Sequence, residues 1–128
     1  MYGKILVGLV LLIGITSGVT DETIVGEVSA MASQIGVNPT VVRINEYSFG
    51  PELDILLYDD AIMQSGQGQQ VANDLLRIGQ TVSINYPERK IHQVYVAVTC
   101  TANNIDQGEL HQCDVYNAIG SGSSFGPF

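Results

Sequence analysis

The ten residues from His92 to Thr101, HQVYVAVTCT, alternate without a break: Val94, Val96, Val98 and Cys100 fall on one side of an extended chain, Gln93, Tyr95, Ala97 and Thr99 on the other. A period of two belongs to a strand with one buried face, so this segment commits the chain to a sheet. A second segment, Cys113 to Ile119 (CDVYNAI), carries Cys113, Val115, Asn117 and Ile119 on one face. Setting Cys100 opposite Cys113 places Val98 opposite Val115 and Val94 opposite Ile119, with Asn117 opposite Val96. The spacing therefore predicts an antiparallel hairpin whose apolar faces coincide and whose strands are joined by a disulfide.

Cys100 and Cys113 are the only cysteines. Two thiols cannot supply the four ligands of a structural zinc site, and neither His92 nor His111 stands at a tight ligand spacing from them. A pair of free buried thiols is the alternative to a bridge. A bridge closing this loop would contribute ~3 kcal/mol in the chain-entropy account and would fit an oxidising compartment.

The N-terminus points to the same compartment. Met1-Tyr2-Gly3-Lys4 is a short cationic start, Ile5 to Ile15 (ILVGLVLLIGI) is apolar or Gly throughout, and Thr16, Ser17 and Gly18 are small. That is the layout of a secretory signal. From Ile5 to Val19 a helix would span roughly 22 Å, short of the ~30 Å hydrocarbon core, which argues against a stable transmembrane helix. The small residues also resemble a lipoprotein signal, but the position that would carry the lipidated Cys is Val19. Two other readings stay open: an uncleaved hydrophobic helix of a filament subunit, and a core helix. Residues 1–19 are thus read as a signal or hydrophobic anchor, 20–119 as one domain, and 120–128 (GSGSSFGPF from Gly120) as a flexible tail.

Within the domain, DETIVGEVSAMASQI from Asp21 to Ile35 has apolar residues at 25, 28, 32 and 35, a helical stripe capped by Thr20 or Asp21. Thr40 to Ser48 and Glu52 to Tyr58 read as strands joined by a turn at Phe49-Gly50-Pro51, with Leu53, Ile55 and Leu57 inward and Asp54 and Tyr58 outward. Gln69 to Tyr86 carries the strongest helical pattern, Val71, Leu75, Ile78 and Val82 widened by Ala72, Leu76 and Gly79, and Pro87 stops it. The order is α-β-β-α-β-β. It predicts an α+β two-layer sandwich, an antiparallel four-stranded sheet with two helices on one face.

The charge balance narrows function. With Lys4 set aside, four bases face thirteen acids, and charged residues are only 14% of the chain. Affinity for nucleic acid rests on Lys and Arg, so DNA and RNA are excluded as partners, and an anionic lipid surface could be approached only through the N-terminal segment. Asp59-Asp60, with Asp54 and Glu52 nearby, is the densest acidic cluster and a weak metal candidate, without the spacing of a calcium loop. A capping or solvated role suits these acids better. Ser65-Gly66-Gln67-Gly68 lacks the Lys of a phosphate loop, no Ser sits in a nucleophile elbow, and His92 and His111 merely flank the predicted hairpin. No catalytic constellation and no cofactor motif emerges.

Tyr47, Tyr58, Tyr95 and Tyr116 are all placed outward by the predicted registers, and Tyr is enriched at binding surfaces. The sequence therefore leads to the expectation of a small exported or envelope-associated domain, not an enzyme, that binds a protein or another envelope component through its exposed sheet face. A pilin-like subunit self-assembling through its N-terminal helix is the alternative.

Overall fold

The computed structural model describes residues 20–123; the proposed signal segment 1–19 and tail residues 124–128 lie outside them. The chain forms α1 (Asp21–Gln34), β1 (Val41–Tyr47), β2 (Gly50–Tyr58), α2 (Asp60–Gln64), α3 (Gly68–Asn85), a 3-10 turn (Pro87–Arg89), β3 (Gln93–Thr99) and β4 (Tyr116–Ser121). This is the expected α+β order with a short helix, α2, added before α3.

Helix α1 begins where Thr20 Oγ1 accepts the Thr23 N–H at 3.3 Å, with Asp21 and Glu22 in the positive first turn. Ile24, Val28 and Ala32 form its buried stripe, not the 25/28/32/35 set expected from sequence. Ile35 lies one residue past the helix end and is 50% exposed, so it cannot continue the stripe. Helix α3 buries Val71, Ala72, Leu75, Ile78, Gly79 and Val82, the predicted face. Gly79 lets α3 sit close to the sheet, since a Cβ there would lie 2.6 Å from Val94 Cγ1. Both long helices contact the sheet, α1 through β1 and α3 through β3 and β4.

The sheet has the order β1-β2-β3-β4. Its outer pairs are antiparallel, but β2 and β3 run parallel, from Glu52 beside Gln93 to Tyr58 beside Thr99. This corrects the antiparallel expectation. Helices α2 and α3 carry the chain from the end of β2 back to the start of β3, so the two antiparallel pairs join side by side through strands pointing the same way. The inner strands are correspondingly apolar: every residue of Leu53–Leu57 except Asp54 is aliphatic, and all five are buried.

The β3–β4 register differs by one residue from the predicted hairpin. Val98 pairs with Tyr116, Val96 with Ala118 and Val94 with Gly120. Because side chains alternate, this slip reverses the face of every β4 residue. Tyr116 turns to the helix side, where its ring fills the space a Cβ on Gly68 would need. Ile119 turns to the other side and is 57% exposed. The cause is the position of the disulfide: Cys113 precedes β4 instead of opening it, and Cys100 follows β3. The bridge, with Sγ atoms 2.16 Å apart and Cα atoms 6.3 Å apart, closes a loop outside the ladder.

Candidate functional site

The helices cover one face of the sheet. The other carries, row by row, Arg43 beside Asp54 beside Tyr95 beside Ile119, and Asn45 beside Glu52 beside Gln93 beside Ser121. Glu52 and Asp54 therefore stand next to each other on β2, and both are buried, at 8% and 3% exposure. Asp54 Oδ2 accepts from Arg43 Nε at 3.3 Å and from Asn45 Nδ2 at 2.5 Å. Glu52 Oε2 accepts from Gln93 Nε2 at 2.6 Å. Asp54 Oδ1 is buried and has no such donor among the described residues.

Of the two buried carboxyl groups only Asp54 is bonded to the Arg43 guanidinium, which is itself shared with a second acid. Arg43 Nη1 and Nη2 donate to the two oxygens of Asp106 at 3.0 and 2.6 Å. Burial, then the neighbouring Asp54, pushes the Glu52 carboxyl up to about 7. A protonated Glu52 is the group placed to donate to the orphaned Asp54 oxygen. Burial, followed by the Asp54 and Glu52 charges, also raises the Tyr95 phenol, whose Oη donates to Asn117 Oδ1 at 3.2 Å. The pairing with Asp106 and Asp54 raises Arg43 further above its ordinary range, so it stays charged.

The loop from Cys100 to Asp114 folds over the far end of this face. Its anchors are the Arg43–Asp106 pair, the Ile105 N–H donating to Tyr58 Oη at 2.8 Å, and Asp60, whose carboxylate accepts the Thr101 N–H at 2.9 Å and the Thr101 hydroxyl at 2.8 Å. Those two bonds, the N–H first, hold the Asp60 carboxyl below its usual range. Inside the loop Asn103 is a buried hub: its Nδ2 donates to Thr99 Oγ1 at 2.7 Å and its Oδ1 accepts the Gln112 N–H at 3.0 Å. Where the loop meets α2 an open cleft of about 540 Å³ is lined by Asp60, Met63, Cys100, Cys113, Asp114 and Tyr116, among others.

The residues singled out from sequence separate into several places. Tyr95 and Tyr47 are on the open face, and Tyr47 stacks on Phe49 with ring centroids 5.2 Å apart at the β1–β2 turn. Tyr58 is on that face but beneath the loop, and Tyr116 is on the helix side, contrary to its outward placement. Asp59 caps α2, accepting the Ile62 N–H at 2.9 Å, and Asp60 accepts two hydrogen bonds from Thr101. Among the described residues no group of three or more His, Cys, Asp or Glu is arranged to hold a metal ion. His92 meets the ring of Phe49, and His111 lines a separate, smaller cleft with Glu109. Ser65 closes α2 and Gly66 turns the chain at φ 78 toward α3. Gly120 and Ser121, read as tail, complete β4.

Sequence reasoning recognised Glu52 and Asp54 as acids but missed their pairing. Their spacing of two on a strand placed them on one face; what buries them is Gln93, Asn45, Arg43 and Tyr95, contributed by strands whose alignment the sequence did not reveal. No known protein family matches the chain, and no curated protein or solved structure matches it either.

Proposed function

We propose that this chain is a small non-catalytic binding module of an extracytoplasmic compartment, which docks a protein partner on the open face of its sheet. The observation that carries the reading is one-sided coverage: α1 and α3 lie on one face, while the other presents Ile119, Tyr95, Asn117 and, at its edge, the exposed Tyr47 and Phe49. Aromatic and aliphatic groups within a polar frame are what a protein-recognition surface requires. A disulfide between Cys100 and Cys113 fits an oxidising location. Any membrane attachment would run through residues 1–19.

Charge specifies the partner further. All three arginines are paired within the chain, Arg43 with Asp54 and Asp106, Arg77 with Asp74, and Arg89 with Asp21 and Glu46. The surplus is acidic, so the complementary surface carries basic side chains around an apolar contact.

Photo-crosslinking tests the face. A photoreactive residue at position 119 should capture one discrete partner from envelope extract, and the same residue at position 84, where Ile84 is 65% exposed on α3, should not. Tyr95→Ala and Tyr47→Ala should weaken the crosslink, as should added salt. Equal capture from positions 84 and 119 would overturn the assignment.

A further inference from the structure

The two sulfurs of the disulfide have unequal surroundings. Cys113 Sγ receives the Cys100 N–H at 3.1 Å, lies 3.1 Å from Thr99 Oγ1, and lies 3.2 Å from Asn103 Nδ2, whose two protons also face Thr99 Oγ1 at 2.7 Å and the Cys113 carbonyl at 3.1 Å. Thr99 donates its own proton to the Asp114 carbonyl at 2.8 Å, so the hydroxyl positions the cage; the Cys100 N–H is the undivided donor to the sulfur, and the Asn103 amide is a second donor shared with two oxygens. The Asn103 amide is fixed with nitrogen toward the sulfur because its oxygen accepts the Gln112 N–H. Among the described residues no hydrogen bond is made to Cys100 Sγ. A sulfur in a disulfide is a weak acceptor, whereas a thiolate is a strong one, so the donors favour Cys113 as the anion. The Asp114 carbonyl, 3.4 Å from Sγ, is the opposing influence.

Two further features bear on reactivity. Both cysteines line the open cleft beside α2, so a thiol can reach the bond. The loop's anchors to Arg43, Tyr58 and Asp60 do not pass through sulfur, so breaking the bond leaves the loop attached.

We infer that the Cys100–Cys113 bond is an exchangeable redox site that accepts two electrons from a dithiol, with Cys100 as the sulfur attacked and Cys113 as the leaving group. The incoming thiolate bonds to Cys100 Sγ. The Cys100–Cys113 bond breaks, and its electron pair remains on Cys113 as a thiolate held by the Cys100 N–H and the Asn103 amide. The second thiolate of the reagent then attacks its own sulfur in the mixed disulfide and releases Cys100. The two cysteines gain two electrons and, once protonated, two protons; the dithiol becomes a disulfide. Asp60 and Asp114 rim the cleft, so neutral or cationic thiols are preferred over anionic ones.

The full-length protein, without denaturant, is treated with cysteamine and separately with 2-mercaptoethanesulfonate, quenched with acid and mapped by mass spectrometry. The expected adduct is on Cys100, forms faster with the cationic thiol, and loses that preference in high salt. After reduction, Cys113 should be alkylated with a midpoint below the ordinary thiol value of about 8.5, and Asn103→Ala should slow its alkylation at neutral pH about threefold or more. If Asn103→Ala does not fold, Asn103→Asp, which keeps an acceptor for the Gln112 N–H while removing the amide donor, should slow the alkylation in the same direction. A bond inert to millimolar thiol, adducts divided equally between the cysteines, or an ordinary midpoint for Cys113 would overturn the assignment.

Discussion

Glu52 lies beside Asp54 on the face of β2 that the helices leave open, and the buried Oδ1 of Asp54 has no donor among the described residues unless Glu52 is protonated. The proton is therefore a structural component of the sheet. Folded Glu52 titrates near 7, against 4.5 ordinarily, mainly because it is buried. The native state then holds a proton that the unfolded chain has released, and stability falls as pH rises between these values. The stabilisation is full below about 4.5 and lost by about 8, a change on the order of 3 kcal/mol. Denaturant unfolding at pH 5 and pH 8 should record it. Glu52→Gln keeps a donor for Asp54 without a charge and should flatten the profile; an unchanged slope in that variant would place the effect elsewhere. Asp60 and Asp106, whose carboxyls are lowered, lose their contributions only at more acidic pH, outside this window.

Arg43 holds one buried and one exposed acid, and these should differ in energetic weight. Arg43→Met leaves the Asp54 charge buried with neutral partners only, a loss of roughly 2–4 kcal/mol at neutral pH. Asp106→Asn removes only an exposed partner and should cost under about 1 kcal/mol. Thermal unfolding of the two variants separates them. Equal losses would mean that Arg43 acts mainly by anchoring the loop.

Much of this architecture is legible in the chain. Val71, Leu75, Ile78 and Val82 have one period and one solution, and Leu53, Ile55 and Leu57 face the helices as alternation requires. What alternation cannot supply is the partner of each strand. Nothing in HQVYVAVTCT distinguishes a parallel neighbour from an antiparallel one, so the crossover through α3 and the alignment of Gln93 with Glu52 stayed hidden. The β4 register differs from the expected one for a related reason: Cys113 lies outside the ladder, and that one step exchanges the faces of Tyr116 and Ile119. The carboxyl pair is least legible of all. Its chemistry depends on burial contributed by the two flanking strands, β1 and β3, whereas Asp59 and Asp60, more conspicuous in sequence, are committed to local capping and loop anchoring.

Gly79 tests the closeness of α3 to the sheet. In an isolated helix Gly→Ala is favourable by up to about 1 kcal/mol. Here the added methyl would meet Val94 Cγ1 at 2.6 Å and Ile55 Cδ1 at 3.1 Å, in a core with little room to yield. Overpacking of this kind costs about 1–3 kcal/mol, so the net effect should be destabilising. A variant with raised Tm would show that the helix can move outward freely.

The cap of α1 sets which N-terminal cuts leave the helix intact. Thr20 accepts the Thr23 N–H through its side chain, so a chain cut before Val19 or Thr20 keeps the whole helix start, whereas a cut after Asp21 removes it. If residues 1–18 act as an export signal, intact-mass measurement of the native protein should find a mature start at Val19 or Thr20. Reduction should then add two hydrogens, reporting the Cys100–Cys113 bond in the same experiment. Retention of residues 5–18 in an assembled polymer would instead favour the filament subunit. Since Val19 offers no thiol, a lipid-sized mass increment at this position should be absent, and its presence would overturn the reading of the segment.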